Sequence, residues 1–168
     1  MKKSKFIRVV GVACAAVMAV VLLGGCAGQN NQATEQQKAN RQYMTQVNQT
    51  MEDLAGKLDG FSDAVARGDL VTMRTQADNA FKSIEDLNKI QAPEDMKKIQ
   101  AEYVEGCNDL KDAMNAYIGL YSEIESATDD QPFDYGTYDE RLKAIQDQYD
   151  KGIGKLQSGD NKASELPS

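Results

Sequence analysis

Apolar side chains recur at Met44, Val47, Met51, Leu54, Leu58, Phe61 and Val65 in unbroken steps of three and four. That spacing keeps them on one face of an α-helix and does not suit a strand, whose faces alternate at every second residue. Arg67-Gly68-Asp69 interrupts the pattern: glycine fits a left-handed helix end, and aspartate can accept a free amide of the next helix. Leu70, Met73, Ala77, Ala80, Phe81, Ile84, Leu87 and Ile90 then continue the same period. So short a break predicts that these two helices lie side by side and antiparallel.

Gln91-Ala92-Pro93-Glu94-Asp95 is the second interruption, with Pro93 placed for the first helical position and two acidic residues for the positive end of the helix dipole. A third helix carries Met96, Ile99, Tyr103, Cys107, Leu110, Met114, Tyr117, Tyr121 and Ile124. Its consecutive steps of four predict a local unwinding of the seam near Gly106. Ser126 to Gly136 is the one long connection, after which Thr137-Tyr138-Asp139-Glu140 has the pattern of a capping box. Tyr138, Leu142, Ile145, Tyr149, Ile153 and Leu156 form the fourth apolar face, with Gly152 and Gly154 expected to weaken its end. Four amphipathic helices joined by two short links and one long one predict an all-α, antiparallel up-down-up-down four-helix bundle over residues 43–158. Residues 159–168 are expected to form a disordered polar tail.

Ahead of the first heptad the pattern changes twice. Residues 27–42 are rich in Gln, Asn, Ala and Thr and read as a flexible tether whose C-terminal part can join the first helix. Before them, Lys2, Lys3, Lys5 and Arg8 precede an apolar run from Val9 to Leu23, the order of a secretory signal peptide. The run is shorter than the ~20 residues of a permanent membrane span. It closes on Leu23-Gly24-Gly25-Cys26, which resembles the lipobox of bacterial lipoprotein precursors: leucine, a small residue, then glycine or alanine, then cysteine. The resemblance implies diacylglyceryl transfer to the Cys26 thiol and cleavage between Gly25 and Cys26. Residues 1–25 would then be the signal peptide and 26–42 the lipidated N-terminus and tether. Two acyl chains meet the requirement for stable anchoring. The expected location is the cell membrane or outer membrane, lipid-anchored on the extracytoplasmic face.

Charge looks different once the leader is set aside. The whole chain has 19 basic and 26 acidic residues; the leader holds four of the basic and none of the acidic ones, leaving a net charge of −11 from Cys26 onward. Nucleic acid and anionic membrane surfaces repel such a protein, so neither is expected as a direct surface partner. Of three cysteines, Cys14 falls in the leader and Cys26 would be acylated, so Cys107 has no partner for an internal disulfide.

The chain has no histidine and no tryptophan. Glu-x-x-His di-iron sites, Cys-x-x-Cys-His haem attachment, zinc hydrolysis and Ser-His or Cys-His dyads therefore all lack a required residue. No catalytic residue, metal ligand or cofactor is assigned, and the chain reads as a non-enzyme. An acidic stretch holding Asp129, Asp130, Asp134, Asp139 and Glu140 fails the calcium-loop pattern, because from Asp130 the third place is Pro132 and the sixth is Tyr135. Cys107 on the apolar stripe reads as a small buried hydrophobe. Gly56 and Gly60 form a Gly-x-x-x-Gly pair off the apolar seam.

Phe133 and Tyr135 stand in the long connection and are the candidates for contact with a protein partner at the envelope, since aromatic rings supply contact area at low entropic cost. The leading reading is a lipid-anchored, non-catalytic bundle displaying an interaction surface. Ala92-Pro93-Glu94 between the helices resembles the turn of small helical-bundle lipoproteins of bacteria. One alternative is a small-ligand-binding or sensing lipoprotein, with Met44, Met51, Met73, Met96 and Met114 as adaptable apolar walls. Another is a structural envelope protein that associates with itself.

Overall fold

A computed structural model describes residues 35–166. Among them are four α-helices: α1 (Glu35–Arg67), α2 (Leu70–Lys89), α3 (Lys97–Ser126) and α4 (Tyr138–Ser164). Two 3-10 turns, Glu94–Met96 and Tyr135–Thr137, lead into α3 and α4. The described residues contain no strand, and the fold is an all-α four-helix bundle.

The core is built largely from the residues that the periodicity singles out. Val47, Leu54, Leu58, Phe61 and Val65 of α1 are buried with Met73, Ala77, Ala80, Ile84 and Leu87 of α2. Against them lie Ile99, Tyr103, Cys107, Leu110, Met114 and Tyr117 of α3 and Ile145, Ile153 and Leu156 of α4. Met44 and Met51 are only partly buried, while Tyr43, outside the heptad, is 3% exposed. Helix pairing can be followed through cross-helix bonds. Asp53 meets Ser83 between α1 and α2, and Gln100 Nε2 donates to Ile90 O at 2.7 Å where α2 gives way to α3. Tyr103 meets Asp160 and Glu123 meets Arg141 at opposite ends of α3, so α3 and α4 run in opposite directions. Close backbone approach joins α1 to α2, α2 to α3 and α3 to α4; the side between α4 and α1 is the loose one.

The first turn behaves as the sequence implies. Gly68 has φ of 66°, a left-handed conformation that glycine takes without a Cβ penalty. Asp69 accepts the Thr72 amide at 3.0 Å. The Tyr121 hydroxyl also donates to Gly68 O at 3.0 Å, tying this turn to α3.

Several local expectations are corrected. The first helix starts at Glu35 and so takes in the C-terminal part of the expected tether, because Glu, Gln, Lys, Ala and Arg are good helix formers even without an apolar face. A Glu35–Lys38 ion pair and a Gln36–Asn40 hydrogen bond support that polar turn. Pro93 sits one residue before the 3-10 turn rather than at the first helical position. The capping box at Thr137 does not form. Thr137 already has near-helical dihedrals from the preceding turn, and its hydroxyl donates to Asp134 O instead. Asp134 takes over the capping, accepting the Gly136 amide at 2.8 Å.

The expected tail at 159–168 is helical through Ser164. Gly159 lies against the Tyr103 ring, Asp160 accepts the Tyr103 hydroxyl, and Lys162 pairs with Glu102, so tertiary contacts hold a stretch that has little apolar character of its own. α3 runs as one continuous helix through Gly106. Gly106 and Gly152 face each other where α3 and α4 cross, and a Cβ on Gly106 would lie 2.8 Å from Gly152 O. Gly152 is therefore a contact point rather than a weak end.

The Gly56–Gly60 pair has no such role. Nothing lies within 4 Å of a Cβ placed on Gly56, and the neighbour of Gly60 is the movable Gln76 side chain. Gly56→Ala is expected to stabilise the protein by up to about 1 kcal/mol. A rise in the urea midpoint with unchanged cooperativity would bear this out, and a fall would show an unseen close approach.

Candidate functional site

Phe133 and Tyr135 emerge at one end of the bundle, together with the α1–α2 turn. Three links define that end: Tyr121 to Gly68, Arg74 Nη2 to Ser122 Oγ at 3.0 Å, and Arg141 to Glu123. The connection from Ala127 to Asp134 is irregular because its polar residues and Pro132 offer no helical stripe. It is braced locally by reciprocal backbone bonds between Thr128 and Gln131.

The two rings meet edge to face, with centroids 5.0 Å apart and planes at 80°. They are not equivalent. Phe133 is partly buried against the core margin, whereas Tyr135 is 70% exposed. Arg141 lies over the Phe133 ring at 5.9 Å and grips Glu123 with two nitrogens, at 2.6 and 2.7 Å. That bidentate pair holds the Glu123 carboxyl below, and the Arg141 guanidinium above, their ordinary pKa ranges. Below the platform a second aromatic run enters the core: Phe61 meets Tyr117 edge-on, and Tyr117 stacks on Tyr121. Burial pushes the Tyr117 and Tyr121 hydroxyls up, so they stay neutral donors.

Sequence reasoning placed Phe133 and Tyr135 but missed two residues of this end. Arg141 is one, although a lone base six residues after Tyr135 in an acidic stretch was a usable signal. Val71 is the other. It lies off the α2 stripe and is 76% exposed, one of two exposed large hydrophobic residues among those described, Tyr135 being its companion.

The remaining candidates fall elsewhere. Leu23, Gly24, Gly25 and Cys26 lie outside the described residues. Among the described residues no group of three His, Cys, Asp or Glu side chains is placed to hold a metal ion, and none of their helices is long and apolar enough to cross a membrane. The methionines proposed as pocket walls divide: Met73, Met96 and Met114 fill the core, and Met44 and Met51 sit at its margin. Two apolar grooves lie along the loose side of the bundle, one lined by Met51, Leu54, Leu58, Tyr149 and Ile153, the other by Leu58, Phe61, Met114, Ile145 and Tyr149. Each holds about 20 Å³, room for one water. The chain matches no protein-family model, no curated protein and no solved structure.

Cys107 is fully buried, and burial pushes its thiol up to about 12. The thiolate is the reactive form, so a maleimide should leave Cys107 of the folded protein unmodified and label it once urea unfolds the chain. Rapid labelling at Cys107 in the native protein would overturn that assignment.

Asp160 gives a pH dependence of known sign. Burial raises its carboxyl pKa, against the opposing hydrogen bond from Tyr103. A group whose pKa is higher folded than unfolded favours the fold below the unfolded value and loses that contribution as pH rises through the folded one. Asp160→Asn, which keeps an acceptor for Tyr103, should therefore gain thermal stability relative to the parent as pH is raised from 3 to 7. A Tm difference that stays flat over that range would refute the assignment.

Proposed function

We propose that this protein is a lipid-anchored, extracytoplasmic, non-catalytic bundle that displays a protein-interaction surface at the cell envelope. The supporting observation is one of direction. Among the described residues, the two exposed large hydrophobic ones, Val71 and Tyr135, lie at the end of the bundle opposite the start of α1 at Glu35. The Leu23-Gly24-Gly25-Cys26 motif stands a few residues before that start. With α1 rising about 50 Å over its length, an up-down-up-down arrangement carries Tyr135 well clear of a membrane that holds Cys26. Lipid supplies position, residues 27–34 supply reach, and the bundle supplies a fixed face.

Mass spectrometry of the protein recovered from membranes tests the anchor. Diacylglyceryl-modified Cys26 as the N-terminal residue is expected, as is release of a Cys26→Ala variant from the membrane fraction. An unprocessed chain starting at Met1 would overturn the reading. The ligand-binding alternative is less well supported: among the described residues, the two grooves on the loose side have room for about one water each.

A further inference from the structure

We infer that the Phe133–Tyr135 platform takes a Lys- or Arg-rich segment of a partner protein; this rests on the display reading above. The platform already holds one guanidinium by the chemistry such a partner would use. Arg141 is stacked on Phe133 and clasped by Glu123. Tyr135, edge-on to Phe133, is exposed, and among the described residues no Lys or Arg lies over it.

Charge then selects the occupant. From Glu123 to Glu140 the chain has seven acidic residues and no basic one. Glu123 is committed to Arg141, whereas Asp129, Asp130, Asp139 and Glu140 make no ion pair among the described residues. Elsewhere on α3 the carboxylates of Glu102, Glu105 and Asp109 are matched by lysines of α4. The end of the bundle thus combines an exposed ring with uncompensated negative charge, the pairing that attracts cations to an aromatic face. Anionic lipid headgroups, nucleic acid and a second copy of this acidic face would all be repelled there.

Fluorescence anisotropy on the full-length protein in neutral detergent, titrated with a labelled octa-arginine peptide, tests the inference. Binding that weakens with salt is expected. Tyr135→Ala should weaken it about three- to fivefold, the size of an exposed cation–π contact. The combined variant Asp129→Asn, Asp130→Asn, Glu140→Gln should weaken it further. A control that removes equal charge from exposed positions away from that end, Glu52→Gln, Glu85→Gln and Asp95→Asn, should leave it within about twofold, since distant exposed charges are largely screened. No binding, an unchanged Tyr135→Ala titration, or an equal loss in the control overturns the inference.

In cells, a benzophenone side chain replacing Tyr135 should crosslink to a Lys- or Arg-rich stretch of another protein. An adduct on a neutral or acidic protein segment overturns the cationic assignment and leaves display standing. No protein adduct where Cys26 is lipidated removes both. An adduct on a second copy or on lipid also overturns the inference.

Discussion

Gly152→Ala is expected to cost the bundle about 2 kcal/mol, although alanine is the better helix former by about 1 kcal/mol. The reason is the reciprocal contact between α3 and α4. A Cβ on Gly152 would stand 2.9 Å from the carbonyl oxygen of Gly106 and 3.0 Å from the Leu110 side chain, and a Cβ on Gly106 would meet Gly152 O at 2.8 Å. Side chains can rotate out of such a clash, but a helix backbone cannot, so one helix must move and the neighbouring core must loosen. Gly154 is the internal control. It lies two residues along the same helix, with nothing within 4 Å of its Cβ position, and Gly154→Ala should stabilise. Urea denaturation followed by circular dichroism should move the two midpoints in opposite directions. Equal shifts would mean that the helices do not touch at this crossing.

Removing the cations around Asp109 should give the other large loss. Asp109 is 7% exposed and lies on the α4 side of α3. Its Oδ1 accepts from Gln148 at 2.8 Å and from Lys151 at 3.0 Å. Its Oδ2 has no hydrogen-bond partner, only the Lys155 ammonium at 3.6 Å. The double variant Lys151→Met, Lys155→Met would leave a buried carboxylate with Gln148 alone. A loss of about 2 kcal/mol is expected, less than for a deeply buried pair because the Lys151 side chain is 56% exposed. Adding Asp109→Leu should restore most of it, since an apolar replacement for a buried ion pair is often neutral or better. A triple variant no more stable than the double would show that the carboxylate was not the source of the loss.

The two features behind these predictions mark what the sequence left unreadable. Heptad spacing located α1 to α4 because burial of one face dominates helix energetics, and Val47, Leu58, Met73 and Leu110 follow it directly. Close approach leaves no such period. Gly106 and Gly152 each adjoin a stripe residue, Cys107 and Ile153, and a glycine in that position is the only trace the crossing leaves. Asp109 was hidden in the same way, beside Leu110. The extent of the polar ends of α1 and α4 was not legible because residues 35–42 depend on propensity and residues 159–164 on partners across the bundle, and neither shows as an apolar stripe. Thr137 kept a capping sequence while the preceding turn gave the task to Asp134. Of the candidate site, Phe133 and Tyr135 were legible because both rings stand in a stretch without helical period. Which ring is exposed, and which cation covers the other, depended on the fold.

The uneven closure of the bundle has a mechanical consequence. A pull arriving through the residues before Glu35 enters the fold along α1, whose backbone approaches α2 far more than either other helix. The α3–α4 hairpin, fastened by the glycine crossing, the Tyr103–Asp160 bond and the ion pairs of Lys155 and Lys162, is outside that line of force. Tension would peel α1 from its neighbour first and leave the hairpin that bears Phe133 and Tyr135 folded. The end at Glu35 would yield like a spring while the end that bears Tyr135 kept its shape.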